Sequence, residues 1–579
     1  MRQIDAAAGG AEFRYDPSGN RTDLVDPVGN NTHWQYDGLN RAVSETQQDA
    51  YQGTDLASGS FQYDAAGLLL RAIDRNGRVI DYAYDAAGRR TRERWYADEA
   101  SAPAAPDAAP ASPPLRTFVS RYDAAGRLLS VTDREGEAPA EPDWGAGSLS
   151  AVAYTYDRFD RLVSTTNRQA DRPDVTLTQT YDDRGRIAAV AVQIGQTADF
   201  TNSYTYDDYG RLVSLVQTGV AGGSAVADKR VDFGYNEFGQ PANITRYADE
   251  GGTQMVSTST YSYDAVGRLT GLVHAGPTAT QAEYEWLFDA AGRPTAFNNL
   301  LHTDESATYS YDDTNQLTGA DRDGTNADES YTYDAAGNRD YGGYVTDVHN
   351  RMIADGTYAY TYDAEGNRAT RTKLSDGSIT RYVWDHRNRL VETTEEDDQG
   401  TVTQRVTYQY DALNQRLART ADLDGAGSGE AVEVRYVWHA DNVVLTFTDG
   451  DLSNRYLQGP EMDRTLADER PDGTVYWALA DHLGTVRDVV DSAGAVVTHR
   501  TYDSFGRITG ETDPTLGYAY AFTGALLDRE TGLQHHRARY YDPAHGRWIS
   551  EDPIGFGTHL RNFRPRLPVE NGKPAFSTP

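Results

Sequence analysis

The chain is 579 residues long, carries a formal net charge of −33 and contains no cysteine. That length exceeds what one compact core organises. The acidity excludes nucleic acid as a general partner, because phosphate binding needs basic surface, and the absence of thiols excludes disulfides and cysteine chemistry. No apolar run approaches the length that spans a bilayer, so no transmembrane segment is expected, and Met1–Gly10 contains no signal-peptide core.

From Phe13 to Arg507 one phrase recurs: Tyr-x-Tyr-Asp-x-x-Gly-Arg. Full copies run Tyr82–Arg89, Tyr204–Arg211 and Tyr261–Arg268, and looser ones begin at Phe13, Tyr331, Tyr360 and Tyr408. Its Asp falls at Asp64, Asp85, Asp123, Asp157, Asp182, Asp207, Asp264, Asp289, Asp312, Asp334, Asp363, Asp385 and Asp411, with Asn236 filling one gap. Asp157, Asp182 and Asp207 stand 25 residues apart, a period of stacked repeats. The two Tyr share one side of an extended strand. The Asp opens a turn by accepting backbone N–H groups, and Gly supplies the positive φ. Asn after Gly, as at Gly337-Asn338 and Gly366-Asn367, is expected to tolerate the same region. Each unit therefore reads as strand, turn, strand, and such hairpins stack laterally into one long sheet.

Two insertions interrupt the period, at 101–114 (Ala/Pro-rich) and 135–142. Both read as surface loops, the first disordered or polyproline-like. With 39 Tyr against 15 Phe and 4 Met, the repeats favour a wall with one face wet or lining a polar cavity. Residues 1–455 are thus read as repeats and 456–556 as a distinct, motif-dense region. The tail at 557–579 is short, basic and Pro-containing, and is expected to be disordered.

The distinct region carries Asp481-His482-Leu483-Gly484, Tyr502-Asp503-Ser504-Phe505-Gly506-Arg507, Thr523 to Leu533, Arg539-Tyr540-Tyr541-Asp542-Pro543 with Gly546-Arg547, and Asp552-Pro553-Ile554-Gly555. Through these signatures the segment Asp481 to Phe556 resembles the RHS-repeat-associated core domain, and the phrase resembles the YD, or RHS, repeat. That family includes bacterial polymorphic toxins, the C component of Tc toxin complexes, wall-associated proteins and animal teneurins. The resemblance implies an all-β fold whose stacked hairpins spiral into a hollow, shell-like solenoid closed by a core plug. It implies a secreted or cell-surface structural shell that encapsulates or presents a C-terminal effector, the effector and a secretion machinery being its partners. The same family offers an adhesion protein that binds cell-surface glycans as an alternative. Export is expected to be specified upstream of Met1 or by a dedicated secretion system. After Phe556 the sequence departs from the family: the second Asp-Pro-x-Gly, where cleavage occurs, and a toxin domain are both missing. A frameshift, truncation or insertion near Phe556 would account for that departure.

Aspartyl self-cleavage, the one catalytic activity that the family implies, needs two carboxylates sharing a proton. The candidates are Asp542 and Asp552, with Arg539 or Arg547 as charge partners. Capping of Asp-Pro turns explains the same residues without chemistry, and the missing second motif favours that reading. Asp481-His482 is read as structural, since no nucleophile or second ligand lies at motif spacing. His535 and His536, adjacent on a strand, face opposite sides and cannot easily share a metal. Asp321 to Asp328 and Asp422 to Asp424 resemble the start of calcium loops; twelve residues from Asp321 ends at Thr332 and not at a bidentate Glu, and loops rich in Asp and Gly between hairpins explain both segments. Gly425 to Gly429 lacks the strand–helix setting of a nucleotide loop. No cofactor and no metal are expected.

Overall fold

A computed structural model describes residues 2–553 apart from 6–10, 28, 49–54, 107, 109–111, 139–143, 145–146, 325–326, 348, 426 and 428. The tail at 557–579 and the expectation of disorder placed on it lie outside the described residues. The fold is all-β, with only three short 3-10 segments besides strands among the described residues. A first antiparallel sheet of 26 strands runs from Arg2–Asp5 to Glu329–Ser330, and a second of 16 strands from Tyr344–Thr346 to Ile508–Glu511. A third, of four strands, spans Leu526–Asp528 to Arg547–Trp548. Within each sheet the strands pair in chain order, hairpin after hairpin. Among the described residues no helix is long and apolar enough to cross a membrane.

The turn explains the phrase. In the copy at Asp85, Oδ1 accepts the N–H groups of Ala87 (2.9 Å) and Arg89 (3.0 Å), and Oδ2 accepts Arg89 Nε (2.6 Å). Those backbone bonds and the Arg89 guanidinium hold its carboxyl below the usual carboxylate range. Gly88 N–H bonds back to Asp85 O (2.9 Å), at a φ of +77° that only glycine adopts freely. Where glycine is missing, Asn40, Asn315, Asn350, Asn388 and Asn414 stand in its own place with positive φ. The expectation for Asn after glycine is corrected: Asn338 and Asn367 are not left-handed. They replace the arginine, donating Nδ2 to Asp334 (3.1 Å) and Asp363 (3.0 Å).

The phrase also joins neighbours. Arg89 Nη1 donates to the carbonyl of Asp123 (2.8 Å), the Asp of the next copy, while its guanidinium lies 5.0 Å from the Tyr122 ring. The Tyr122 hydroxyl donates back to the carbonyl of Arg90 (3.1 Å). Arg41 with Asp64 and Tyr63, and Arg389 with Asp411 and Tyr410, repeat the clip. The second Tyr therefore uses its hydroxyl on the adjacent hairpin. The first, as at Tyr82, Tyr154 and Tyr408, is buried in the core. The hydroxyls of the second Tyr bond carbonyls of the neighbouring hairpin. Replacing Tyr63 or Tyr235 with Phe strands the carbonyl of Ala42 or Leu212. The expected loss is ~1 kcal/mol each, additive in the double variant because the sites are distant. Unchanged urea midpoints would refute the clip.

The second sheet lies against the first and runs in the same direction. Arg75 meets Glu365, 290 positions on. Gln179 meets His439 at 260, Tyr284 meets Asp488 at 204, and Glu329 meets Ser504 at 175. The second sheet, a second coil of the wall, follows the same path in fewer residues. Leu215, Val231 and Ile244 of the first sheet share one core with Leu457, Trp477 and Leu479 of the second. At the change of sequence near 456 the ladder does not break: Asp451–Gln458 pairs with strands on both sides. The breaks fall between Ser330 and Tyr344 and after Glu511. Asp481 and Asp503 make the same Asp turn as the repeats, so those signatures are still wall. The described part of the first insertion docks: Ala102 is buried against Val79 and Tyr96, and Pro103 O accepts from Arg71 (2.8 Å).

Candidate functional site

The C-terminal strands fold back onto residues 368–419 of the second sheet, and charged pairs fasten them. Arg416, fully buried, donates Nη1 to both Asp528 oxygens (3.0 and 2.7 Å), and the Tyr540 hydroxyl joins at 3.2 Å. Burial opposes the Arg416 charge, yet Asp528 holds its pKa above the ordinary value. Arg368, equally buried, donates Nη1 to Asp542 Oδ2 (2.7 Å). His545 Nδ1 lies 2.8 Å from the same oxygen, and its Nε2 lies 2.6 Å from Asp355 Oδ2 and 2.9 Å from the Tyr360 hydroxyl. Burial works against the imidazolium, but Asp355 and Asp542 raise the His545 pKa. Farther out, Arg75 of the first sheet bonds Glu551 (2.8 Å).

The four sequence candidates separate. Asp542 is buried between Arg368 and His545. Despite burial, which opposes its charge, those cations hold its carboxyl well below the usual carboxylate range. A shared proton requires the opposite setting. Asp552 is exposed and pairs with Arg539 (3.0 Å), whose guanidinium lies over Trp548 (4.1 Å). Arg547 donates instead to Asn350 O (3.2 Å) and Asn338 Oδ1 (3.1 Å). Each carboxylate thus has its own cation, and the arrangement is a fastening.

The remaining motifs are structural in placement. Asp481 caps its turn and accepts Arg487 Nε (2.9 Å), while His482 packs on Trp286 (ring centroids 4.5 Å apart). His535 faces Tyr540 and Trp438, and His536 faces Tyr541 and Trp548. Asp422, Asp424 and Asp328 accept backbone N–H groups of their own loops.

Two networks escaped sequence reading. His545 sits inside a quoted signature, but its partner Asp355 lies 190 positions away. His499 bridges the coils, with Nδ1 2.6 Å from Asp488 Oδ1 and Nε2 2.6 Å from Glu305 Oε1. Burial disfavours its charge, yet those carboxylates push its pKa up to about 10. His302 stacks on it (4.3 Å), and His302, Glu305 and His499 are the one group of three possible metal ligands within 4.8 Å among the described residues. Both His499 nitrogens already bond carboxylates, so the group fits an ion-pair staple better than a cation site.

Two family models match: teneurin YD-shell over residues 247–428 and 463–568, and RHS repeat over 63–94. Double-stranded DNA deaminase toxin A of Burkholderia cenocepacia is 25% identical over 97% of this chain and 46% of its own length. Toxin protein Tse5 of Pseudomonas aeruginosa is 27% identical over 51% of this chain and 23% of its own. The crystal structure of TcdB2-TccC3-Cdc42 shares the fold, with a TM-score of 0.61 at 16% identity over 94% of this chain and 29% of that one. The chain therefore spans less than half the length of each of these relatives.

Proposed function

Because the chain belongs to the RHS/YD-repeat family, we propose that its two coils are the wall of a container for a C-terminal effector. The carrying observation is the fold-back of the last strands onto the second coil through Arg416–Asp528 and Arg368–Asp542. A segment meant only for display gains nothing from burying two ion pairs, whose desolvation is costly unless the geometry is fixed. A plug that must not swing out does gain from it. The shell is the chain's own role, and the chemistry belongs to whatever it holds. That relatives are named as a DNA deaminase toxin and as a toxin protein supports a toxic effector as the content, delivered outside the producing cell by a secretion system.

A short tag with a protease site, fused after Pro579, tests this reading. The expected result is cleavage about tenfold slower than that of the same tag fused before Met1, because cutting then waits for an opening of the wall. Equal rates at the two ends would overturn the container.

A further inference from the structure

Five cationic side chains of this fold rank among the largest that are fully buried: Lys229, Arg246, Arg368, Arg416 and Arg500. Four of them face a carboxylate: Lys229 faces Glu469, Arg368 Asp542, Arg416 Asp528 and Arg500 Glu511. Arg246 does not. Its one hydrogen bond runs from Nη1 to Ser259 Oγ (2.8 Å), and its Nε is buried without a partner. Its electrostatic neighbours are Tyr261, Arg464 and Tyr518, with no acid among them. Burial lowers its pKa only to about 10, so it stays a cation at neutral pH.

The surroundings are polar and built from three adjacent strands. Arg246 stands opposite Ser257 on the next strand, and Ser259 stands opposite His274 on the one after. In antiparallel pairs such residues share a face. Ser257 and Ser259 are 0% exposed and His274 1%. Ser259 Oγ lies 2.7 Å from His274 Nδ1, and the Ser257 hydroxyl, like Arg246 Nε, has no partner. Burial and the nearby Arg246 push His274 down to about 3, so it adds no charge. The guanidinium therefore lies on the face it shares with Ser257 and Ser259, where two buried donors, Arg246 Nε–H and the Ser257 hydroxyl, are unused and no carboxylate faces the charge.

A buried cation that cannot lose its proton must find a counter-charge. We propose that Arg246 and Ser257 form an internal site for a small monovalent anion of chloride size, held by Arg246 Nε–H and the Ser257 hydroxyl between the two coils. The 2% exposure of Arg246 excludes a nucleotide or a peptide carboxylate and limits the occupant to an ion enclosed as the coils close. The site lies beside the apolar cluster shared by both sheets, so the ion fastens the second coil to the first.

The test uses the full chain in bromide. Crystals grown in sodium bromide are expected to show an anomalous peak at hydrogen-bond distance from Arg246 Nε. At constant ionic strength, melting temperature is expected to rise with the logarithm of chloride concentration relative to gluconate. Arg246→Met is expected to abolish that dependence and Ser257→Ala to weaken it. Should Arg246→Met not fold, the bromide peak and Ser257→Ala still decide. No peak, or the same melting temperature in chloride and gluconate, overturns the site.

Discussion

Replacing Asp528 with alanine is expected to destabilise the fold by roughly 3–5 kcal/mol, the cost of leaving one partner of a buried ion pair unpaired. Arg416 is 0% exposed and gives both its bonds to Asp528 through one nitrogen. Its other contacts, Tyr540 and Tyr436 hydroxyls, carry no charge to offset it. Arg416→Met with Asp528→Leu removes both charges and fills the space, so the double variant is expected to recover most of the loss. Urea midpoints of the two single variants and the double close the cycle. A double variant as unstable as Asp528→Ala would mean that packing of the C-terminal strands, rather than charge, holds them to the wall.

The second large effect is on pH. His499 has a folded pKa of about 10 against an unfolded value of about 6.5. A raised folded pKa binds the proton more tightly in the native state. Its stabilisation is therefore complete below about pH 6.5 and is lost as pH climbs toward about 10. A shift of that size is on the order of 5 kcal/mol. Asp488 and Glu305 face the imidazole directly, Tyr284 shares Asp488, and His302 stacks on the ring. Urea midpoints measured from pH 6 to pH 10 are expected to fall for the wild type. For His499→Gln, which has no proton to lose there, they are expected to stay flatter. Parallel curves would show that tyrosine and lysine titration elsewhere causes the fall.

How much of this was legible in the sequence depends on distance along the chain. The Asp turn closes within four residues, and its Asp, Gly and Arg could be read from Tyr82–Arg89 alone. The clip from Arg89 to Asp123 was not, because the partner belongs to the next copy, across the 101–114 insertion. The bond of the Tyr122 hydroxyl to Arg90 O was hidden for the same reason: composition counts tyrosines without saying what each one touches. The expected boundary at 456 followed the loss of the Tyr phrase, yet the Asp turn persists at Asp481, Asp491 and Asp503, and the turn sustains the ladder. At the candidate site, Asp542 was visible in its signature. Arg368, 174 positions earlier, fixes its charge, and no spacing rule reaches that far.

Strands that pair only with their predecessors have a consequence for synthesis. A hairpin closes in about 1–10 μs, while translation adds about 5–20 residues per second. The first sheet can therefore lengthen as it leaves the ribosome, each new strand finding a finished edge. Contacts between coils, 175–324 positions apart, must wait for the second pass. Asp528 and Asp542 emerge when Arg416 and Arg368 already stand in a completed ladder. The C-terminal strands therefore dock onto a ladder that is already built.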